Sequence, residues 1–142
     1  MDLEESLRCL QWHMWFRWRE ESRRSGSMDL TPNELDYLYA LLGAGRPIRL
    51  GELATRMQVT PASASTMVRK LEARGYISRS ASGEDARSVL LAPTPKCQAL
   101  EAEEQSIYAD TASRLAAMLE PQELAELSRL LAKARGNLTT DF

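Results

Sequence analysis

The side chains that most often carry out catalysis or bind metals are scarce in this sequence. His13 is the only histidine, and Cys9 and Cys97 are the only cysteines. One imidazole leaves no histidine metal cluster and no second acid–base partner, and two distant cysteines outside a Cys-x-x-Cys pair indicate no zinc site. The glycine patterns of nucleotide-binding sites are also absent. We therefore expect no enzyme, no metal and no cofactor.

Basic side chains, by contrast, are concentrated in the middle of the chain. Residues 41–87 hold eight basic and four acidic residues, a net charge of +4, whereas residues 1–40 and 88–142 each hold eight acidic and five basic residues. The total charge of −2 hides this contrast. Because neutralising phosphates requires a local cluster of positive charge, the pattern favours a central polyanion-binding region. An ordinary solvated surface is the alternative interpretation.

The segment from Thr60 to Leu71 predicts a helix with two different faces. Thr60 is suited to cap this helix, with Pro61 at its first position. At about 100° per residue, the face toward the core carries Ala64, Met67, Val68 and Leu71. The opposite face carries Ala62, Ser65, Thr66, Arg69 and Ala73. Small methyl and hydroxyl side chains followed by an arginine allow a helix to approach base edges closely in a DNA major groove.

Three helices are predicted before this segment. An apolar stripe indicates a first helix that ends near Arg24, and Thr31 with Glu34 forms the capping-box pattern of a second helix that ends by Gly43 or Gly45. Residues 50–57 predict a short third helix. Arg49 precedes that helix at its cap position, where its side chain either contacts a DNA phosphate or faces solvent.

A short hairpin and two long helices are predicted after the segment. Residues 76–79 and 88–91 indicate two strands that enclose a turn. Helices are then predicted from Pro95 and from Pro121. The terminal helices carry more apolar side chains than the surface of a monomer usually exposes. The predicted fold is mainly α with a small β-hairpin wing, a winged helix-turn-helix with N- and C-terminal dimerisation helices.

With these elements the chain resembles the MarR family of bacterial transcription regulators over nearly its whole length. The similarity is carried by Thr60–Leu71, by the Leu71–Arg79 turn into the hairpin, by Asp85-Ala86-Arg87 in the wing, and by Thr94-Pro95-Lys96 at the start of the long helix. It implies one MarR-like domain over residues 1–142, with a DNA-binding lobe at 31–94 and dimerisation helices at 1–30 and 95–142.

The resemblance also implies how the chain contacts DNA. The Thr60–Lys70 helix would enter the major groove, and Arg87 would reach the adjacent minor groove or its phosphates, oriented by Asp85. A local ion pair in the hairpin turn, without a role in DNA binding, is the alternative for Asp85 and Arg87. The residues assigned to a double-stranded DNA operator are Arg49, Thr60, Pro61, Ala62, Ser63, Ser65, Thr66, Arg69, Lys70, Arg79 and Arg87. A homodimer would place its two recognition helices about 34 Å apart on a pseudopalindromic operator. We therefore expect a DNA-binding regulator, a repressor released by a ligand.

Family members often bind a small aromatic or phenolic effector, and the sequence offers candidate residues for one. They are Trp12, His13, Trp15, Phe16, Arg17, Tyr37 and Tyr39. His13 and Arg17 share a helix face, where they could meet a ligand carboxylate. Packing within the helices or a dimer core is the alternative role for each of these side chains.

Two other functions remain open from the sequence. Some relatives sense peroxides through a cysteine in the first helix, which makes Cys9 a redox candidate, although an inert buried cysteine is the simpler interpretation. A winged-helix module that binds a protein partner and not DNA is the second alternative. Because apolar runs are only a few residues long, we expect no membrane segment and a cytoplasmic location.

Overall fold

The computed structural model describes residues 2–81, 88–136 and 138. These residues are mainly helical, with three short strands and a single 3₁₀ turn at Ser27–Asp29. The helices are α1 Leu3–Ser25, α2 Pro32–Gly43, α3 Leu50–Met57, α4 Pro61–Ala73, α5 Pro95–Met118 and α6 Pro121–Arg135, and the strands are β1 Ile48–Arg49, β2 Ile77–Ala81 and β3 Val89–Pro93. The predicted helices are confirmed, and the short third helix has the predicted bounds.

The chain divides into two compact units. One unit contains residues 1–14 and 105–142, and the other contains residues 15–104. The hydrophobic core of the second unit brings together α2, α3, α4, the strands and the start of α5, with its most buried side chains at Leu38, Leu41, Ile48, Leu53, Val68, Leu71 and Leu91. Burying each such side chain stabilises the fold by roughly 1.5–3 kcal/mol. This core fixes the faces that α2, α3 and α4 turn outward.

Side-chain caps determine where two of these helices begin. The Thr31 hydroxyl accepts a hydrogen bond from the Glu34 N–H at 3.1 Å, and the Glu34 carboxylate accepts one from the Thr31 N–H at 3.2 Å. This reciprocal pair is the predicted capping box of α2. The Thr60 hydroxyl accepts from the Ser63 N–H at 3.2 Å and starts α4 in the same way. Proline occupies the first helical position in both cases.

The sheet contains one strand more than the predicted hairpin. Its antiparallel order is β1-β3-β2, and Ile48 of β1 lies opposite Leu91 of β3. A two-residue strand is too short to show alternation, so the sequence pattern gave no sign of β1. The other two strands begin one residue later than predicted and end two residues later. Residues 82–87, which include the predicted wing residues Asp85 and Arg87, lie outside the described residues.

The unit formed by residues 1–14 and 105–142 leaves many apolar side chains in contact with solvent. Leu3 is 76% exposed and Met118 is 81% exposed, and Leu7, Trp12, Leu130 and Leu131 are also exposed. The described part of α6 contains no buried residue at all. None of the helices in the described residues has the length and apolar content that a membrane span requires. A single copy of the chain therefore presents an extensive uncovered apolar surface.

Candidate nucleic-acid interface

Helix α4 turns the predicted face outward. Ala64, Val68 and Leu71 are buried at spacings of four and three residues, so the opposite side of the helix faces solvent. The exposed residues there are Pro61, Ala62, Ser63, Thr66, Arg69, Lys70 and Ala73. Ser65 departs from the prediction, because its side chain is half-buried and not fully exposed. The first turns of the helix therefore expose only short side chains, and long basic side chains follow them.

The hydroxyl groups on this face are engaged within the helix. Thr60 donates to the Ser63 Oγ at 3.0 Å, and Thr66 donates to the Ala62 carbonyl at 3.2 Å. A hydroxyl that donates within the protein keeps lone pairs that accept hydrogen bonds. Thr66 can therefore accept from a base amino group without first losing an internal bond. Thr60 also caps the helix, so its removal would affect folding as well as any contact with DNA.

The predicted basic contacts differ in whether their charge is already paired. Arg49 and Arg69 are exposed and form no ion pair with another described residue. Arg79 lies in β2, and its Nε donates to the Glu72 Oε2 at 2.6 Å. Arg49 occupies the N-cap position of α3 as predicted, without a side-chain capping bond. Among the described basic residues of the predicted interface, Arg49 and Arg69 are thus the most available to phosphates.

A buried carboxylate that the sequence did not reveal lies behind the interface. Glu34 is 2% exposed, and its Oε2 accepts a hydrogen bond from the Arg74 Nη1 at 2.9 Å, while the Lys70 Nζ lies 3.8 Å from its Oε1. Burial raises the pKa of Glu34, but the hydrogen bonds from Thr31 and the charges of Lys70 and Arg74 outweigh burial and leave that pKa lowered. The carboxylate is therefore ionised at neutral pH.

The predicted effector residues do not gather around one described cavity. A cavity of about 270 Å³ in the unit of residues 1–14 and 105–142 includes His13 and no other predicted effector residue; its lining is Leu10, His13, Thr111, Arg114, Leu115 and Met118. The His13 Nε2 is buried and has no hydrogen-bond partner among the described residues. Trp12 and Phe16 are exposed. His13 is thus the predicted effector residue that lines this cavity.

The other predicted effector residues have partners of their own. Trp15 stacks under the guanidinium of Arg19, 4.7 Å from its ring centroid, and Arg17 pairs with Glu20 at 3.1 Å. Tyr37 is buried in the core. Burial, the charges of Glu104 and Glu103 and a hydrogen bond to Glu104 raise the pKa of Tyr39 to about 12. Tyr39 therefore stays protonated at neutral pH.

The two cysteines occupy opposite environments. The interpretation of Cys9 as a buried residue is wrong, because Cys9 is exposed on α1. Its neighbour Arg8 pairs with Glu4. Cys97 is buried at the start of α5, where burial and the charge of Glu101 raise the pKa of its thiol to about 11. A protonated, buried thiol is a poor nucleophile. Within the described ranges, no cluster of histidine, cysteine and carboxylate side chains is suited to hold a metal ion.

Comparison with known proteins identifies the segment that contains this surface. Residues 30–89 match the model of the MarR family. This segment is similar to the MarR family. The matched residues include α2, α3, α4, β1 and β2, so the capped helix and its outward face lie wholly within the segment. Proteins of the MarR family are transcription regulators and not enzymes. The predicted resemblance to a family of regulators that are not enzymes is confirmed over these residues.

Solved structures extend the similarity in fold beyond this segment. YusO from Bacillus subtilis is 24% identical, with a TM-score of 0.68 over 95% of this chain and 93% of that chain. The transcriptional regulator Tm0710 from Thermotoga maritima is 24% identical, with a TM-score of 0.69 over 95% and 92%. S. aureus MepR bound to ethidium bromide is 19% identical, with a TM-score of 0.74 over 98% of each chain. These structures confirm the predicted winged-helix fold. No curated protein matches the sequence.

Proposed function

We propose that the chain is a homodimeric repressor that binds a pseudopalindromic DNA operator and leaves it when a small aromatic ligand binds. In this proposal residues 31–94 form the DNA-binding lobe, and residues 1–30 and 95–142 hold the two copies together. The similarity to the MarR family supports the coarser statement that the chain is a DNA-binding transcription regulator. The finer statement depends on the surfaces described above.

The outward face of α4 is the observation that carries the proposal. Ala62 and Thr66 stand one helical turn apart on the exposed side, and Arg69 follows one turn later. A short methyl group allows the helix backbone to approach a base pair, a hydroxyl group hydrogen-bonds a base edge, and an arginine reaches a guanine or a phosphate. Exposure to solvent alone does not explain why short side chains come first on this face and an arginine follows.

The uncovered apolar surface of the terminal helices supports a homodimer. Leucine, methionine and tryptophan side chains in residues 1–14 and 105–142 are exposed, and contact with water is unfavourable for them. A second copy of the chain carries the same apolar surface and can cover it in a symmetric dimer. A two-fold dimer presents two copies of α4 at one fixed separation. That separation selects half-sites about one DNA turn apart.

A small aromatic ligand is proposed as the signal that releases the DNA. The cavity that His13 lines has apolar walls from Leu10, Leu115 and Met118 and polar ones from Thr111 and Arg114, which suits a ring with a single hydroxyl or carboxylate. MepR, which shares the fold, has been solved with ethidium bromide and, as a point mutant, with an oligodeoxyribonucleotide. Release follows if the ligand favours a dimer whose α4 helices have a different separation.

Selection of bound sequences from a random duplex pool tests the proposal. The wild-type protein should recover a motif with two-fold symmetry, and Thr66→Ala should change the preferred base at particular positions in each half. Thr55→Ala is the matched control, because the Thr55 hydroxyl donates to the Gly51 carbonyl at 2.9 Å in the same way from α3. This variant should recover the wild-type motif.

Two results of the same selection would contradict the proposal. Recovery of no motif at low salt would favour a module that binds a protein partner. An unchanged motif from Thr66→Ala would exclude the proposed docking of α4. Phenol and benzoate are the probes for the ligand, and each should lower the fraction of selected duplex that is bound. If neither probe lowers this fraction or changes the tryptophan fluorescence of the protein, release by a small aromatic ligand is wrong.

A further inference from the structure

Side chains from two other helices hold the C-terminal end of α4. Arg74 is the C-cap residue of α4 and directly follows its last helical residue, Ala73. Its guanidinium Nη1 donates to the Glu34 Oε2 of α2 at 2.9 Å, and its backbone carbonyl accepts a hydrogen bond from the Lys96 Nζ of α5 at 2.8 Å. Arg74 is therefore held by two helices, because α2 binds its side chain and α5 binds its backbone carbonyl.

The contact between Glu34 and Arg74 is strong, because the Glu34 carboxylate is almost inaccessible to water. An ionised group that is only 2% exposed is costly unless charges and hydrogen bonds compensate it. Glu34 receives that compensation from the Thr31 N–H, from Arg74 and from the more distant Lys70. Moving the end of α4 away from α2 would separate the carboxylate from its nearest cation. The buried charge therefore resists a change in the position of Arg74.

The Lys96 side is fixed by an aromatic ring. Tyr76 is buried, with the Lys96 Nζ 4.4 Å and the Arg74 guanidinium carbon 5.7 Å from its ring centroid. Both cations thus lie within the range of cation–π attraction to one ring. The lysine contacts the ring and the helix carbonyl together, which restricts its rotamers and gives α5 a defined contact with the end of α4.

We propose that Glu34 and Lys96 are positioning residues for DNA recognition, which fix the orientation at which α4 presents its outward face to base pairs. The inference rests on the proposed function. Contacts with bases need a defined orientation, whereas contacts with phosphates tolerate a less ordered one. Loosening the end of α4 should therefore lower the discrimination between sequences while leaving non-specific binding intact. Lys70 is 59% exposed, and without the Glu34 charge it is freer to contact a phosphate.

Glu34→Gln compared with Glu72→Gln provides the test. Glutamine preserves the volume of Glu34 and can still complete the capping box. Glu72→Gln makes the same change of charge on α4, where Glu72 pairs with Arg79 at 2.6 Å and is 41% exposed. The measured quantity is the affinity for the selected duplex divided by the affinity for a random duplex. Both are measured at one salt concentration and at a temperature where circular dichroism shows each variant to be folded.

Only Glu34→Gln should lower this ratio, by about fivefold or more, which is the low end of the discrimination carried by one base contact. Both variants should bind the random duplex at least as tightly as the wild type, because each has lost a negative charge. A loss of stability without loss of positioning would leave the ratio unchanged. An unchanged ratio, or an equal loss in Glu72→Gln, would overturn the inference.

Lys96→Met keeps the inference testable if Glu34→Gln does not fold. This variant removes an exposed side chain, leaves the buried carboxylate in place and should lower the same ratio. A wild-type ratio in Lys96→Met would then overturn the inference. If the wild-type protein binds no duplex, the proposed function itself is rejected and the inference falls with it, so the two failures are distinguishable.

Discussion

Arg69 gives the clearest quantitative prediction for the DNA-facing surface. It lies on the exposed face of α4 and forms no ion pair with another described residue, so its charge is available to a phosphate. Each phosphate contact contributes about 0.9 to the slope of the logarithm of affinity against the logarithm of salt concentration. In a dimer that uses both copies, Arg69→Ala should therefore reduce the magnitude of this slope by about 1.8.

The change in slope corresponds to an easily measured difference in affinity. Between about 50 and 200 mM salt, the wild-type protein should lose about twelvefold more affinity than Arg69→Ala. Fluorescence anisotropy of a labelled duplex at several salt concentrations gives both slopes. The selected duplex and a random duplex should show the same difference if the contact is to phosphate, since a phosphate carries no sequence information.

Arg129→Ala is the matched control for the loss of one positive charge. Arg129 lies in α6 and pairs with Glu126 at 2.6 Å, in the unit that carries the proposed dimer surface. This variant should keep the wild-type slope. The assignment of Arg69 to the DNA surface would be refuted if its variant also kept that slope, or if both variants reduced it equally.

Three further predictions concern caps, acid and thiol reactivity. Thr60→Ala should lower the free energy of unfolding by about 1 kcal/mol, measured in urea, because the Ser63 N–H loses its acceptor; an unchanged midpoint would contradict the cap. The lowered pKa of Glu34 stabilises the fold above the unfolded pKa of this carboxyl, and that contribution is lost as the pH falls through the lowered folded value. The wild type should therefore lose more stability in acid than Glu34→Gln, and parallel curves would contradict the ion pair. Burial raises the pKa of Cys97 to about 11, so iodoacetamide at neutral pH should label this thiol only after unfolding, as peptide mass mapping can show.

Local features of the chain were predictable because short-range physics determines them. The caps at Thr31 and Thr60 follow from a hydroxyl placed before a proline and three residues before an N–H that needs an acceptor. The face of α4 that lies inward follows from the spacing of Ala64, Val68 and Leu71. These interactions extend over only one or two helical turns, and each of them is present in the structure.

Features that depend on long-range packing were not predictable in this way. The sequence indicates Glu34 only as part of a cap, whereas in the structure its carboxylate contacts Arg74, forty positions later. The sequence assigns Arg79 to the DNA surface, whereas the structure shows that β2 places it beside Glu72, with which it forms an ion pair. Helix periodicity also showed which face of α1 is apolar without showing what covers it. Among the proposed effector residues, only His13 lines the cavity described above.

The location of methylation-protected guanine N7 atoms in the major groove and adenine N3 atoms in the minor groove of the selected duplex tests the central claim most directly. Two copies of α4 in one dimer should protect two major-groove segments on the same side of the duplex, with centres about 34 Å apart. Protection of a single segment, protection confined to the minor groove, or no protection at low salt would contradict a two-fold dimer that reads DNA through α4.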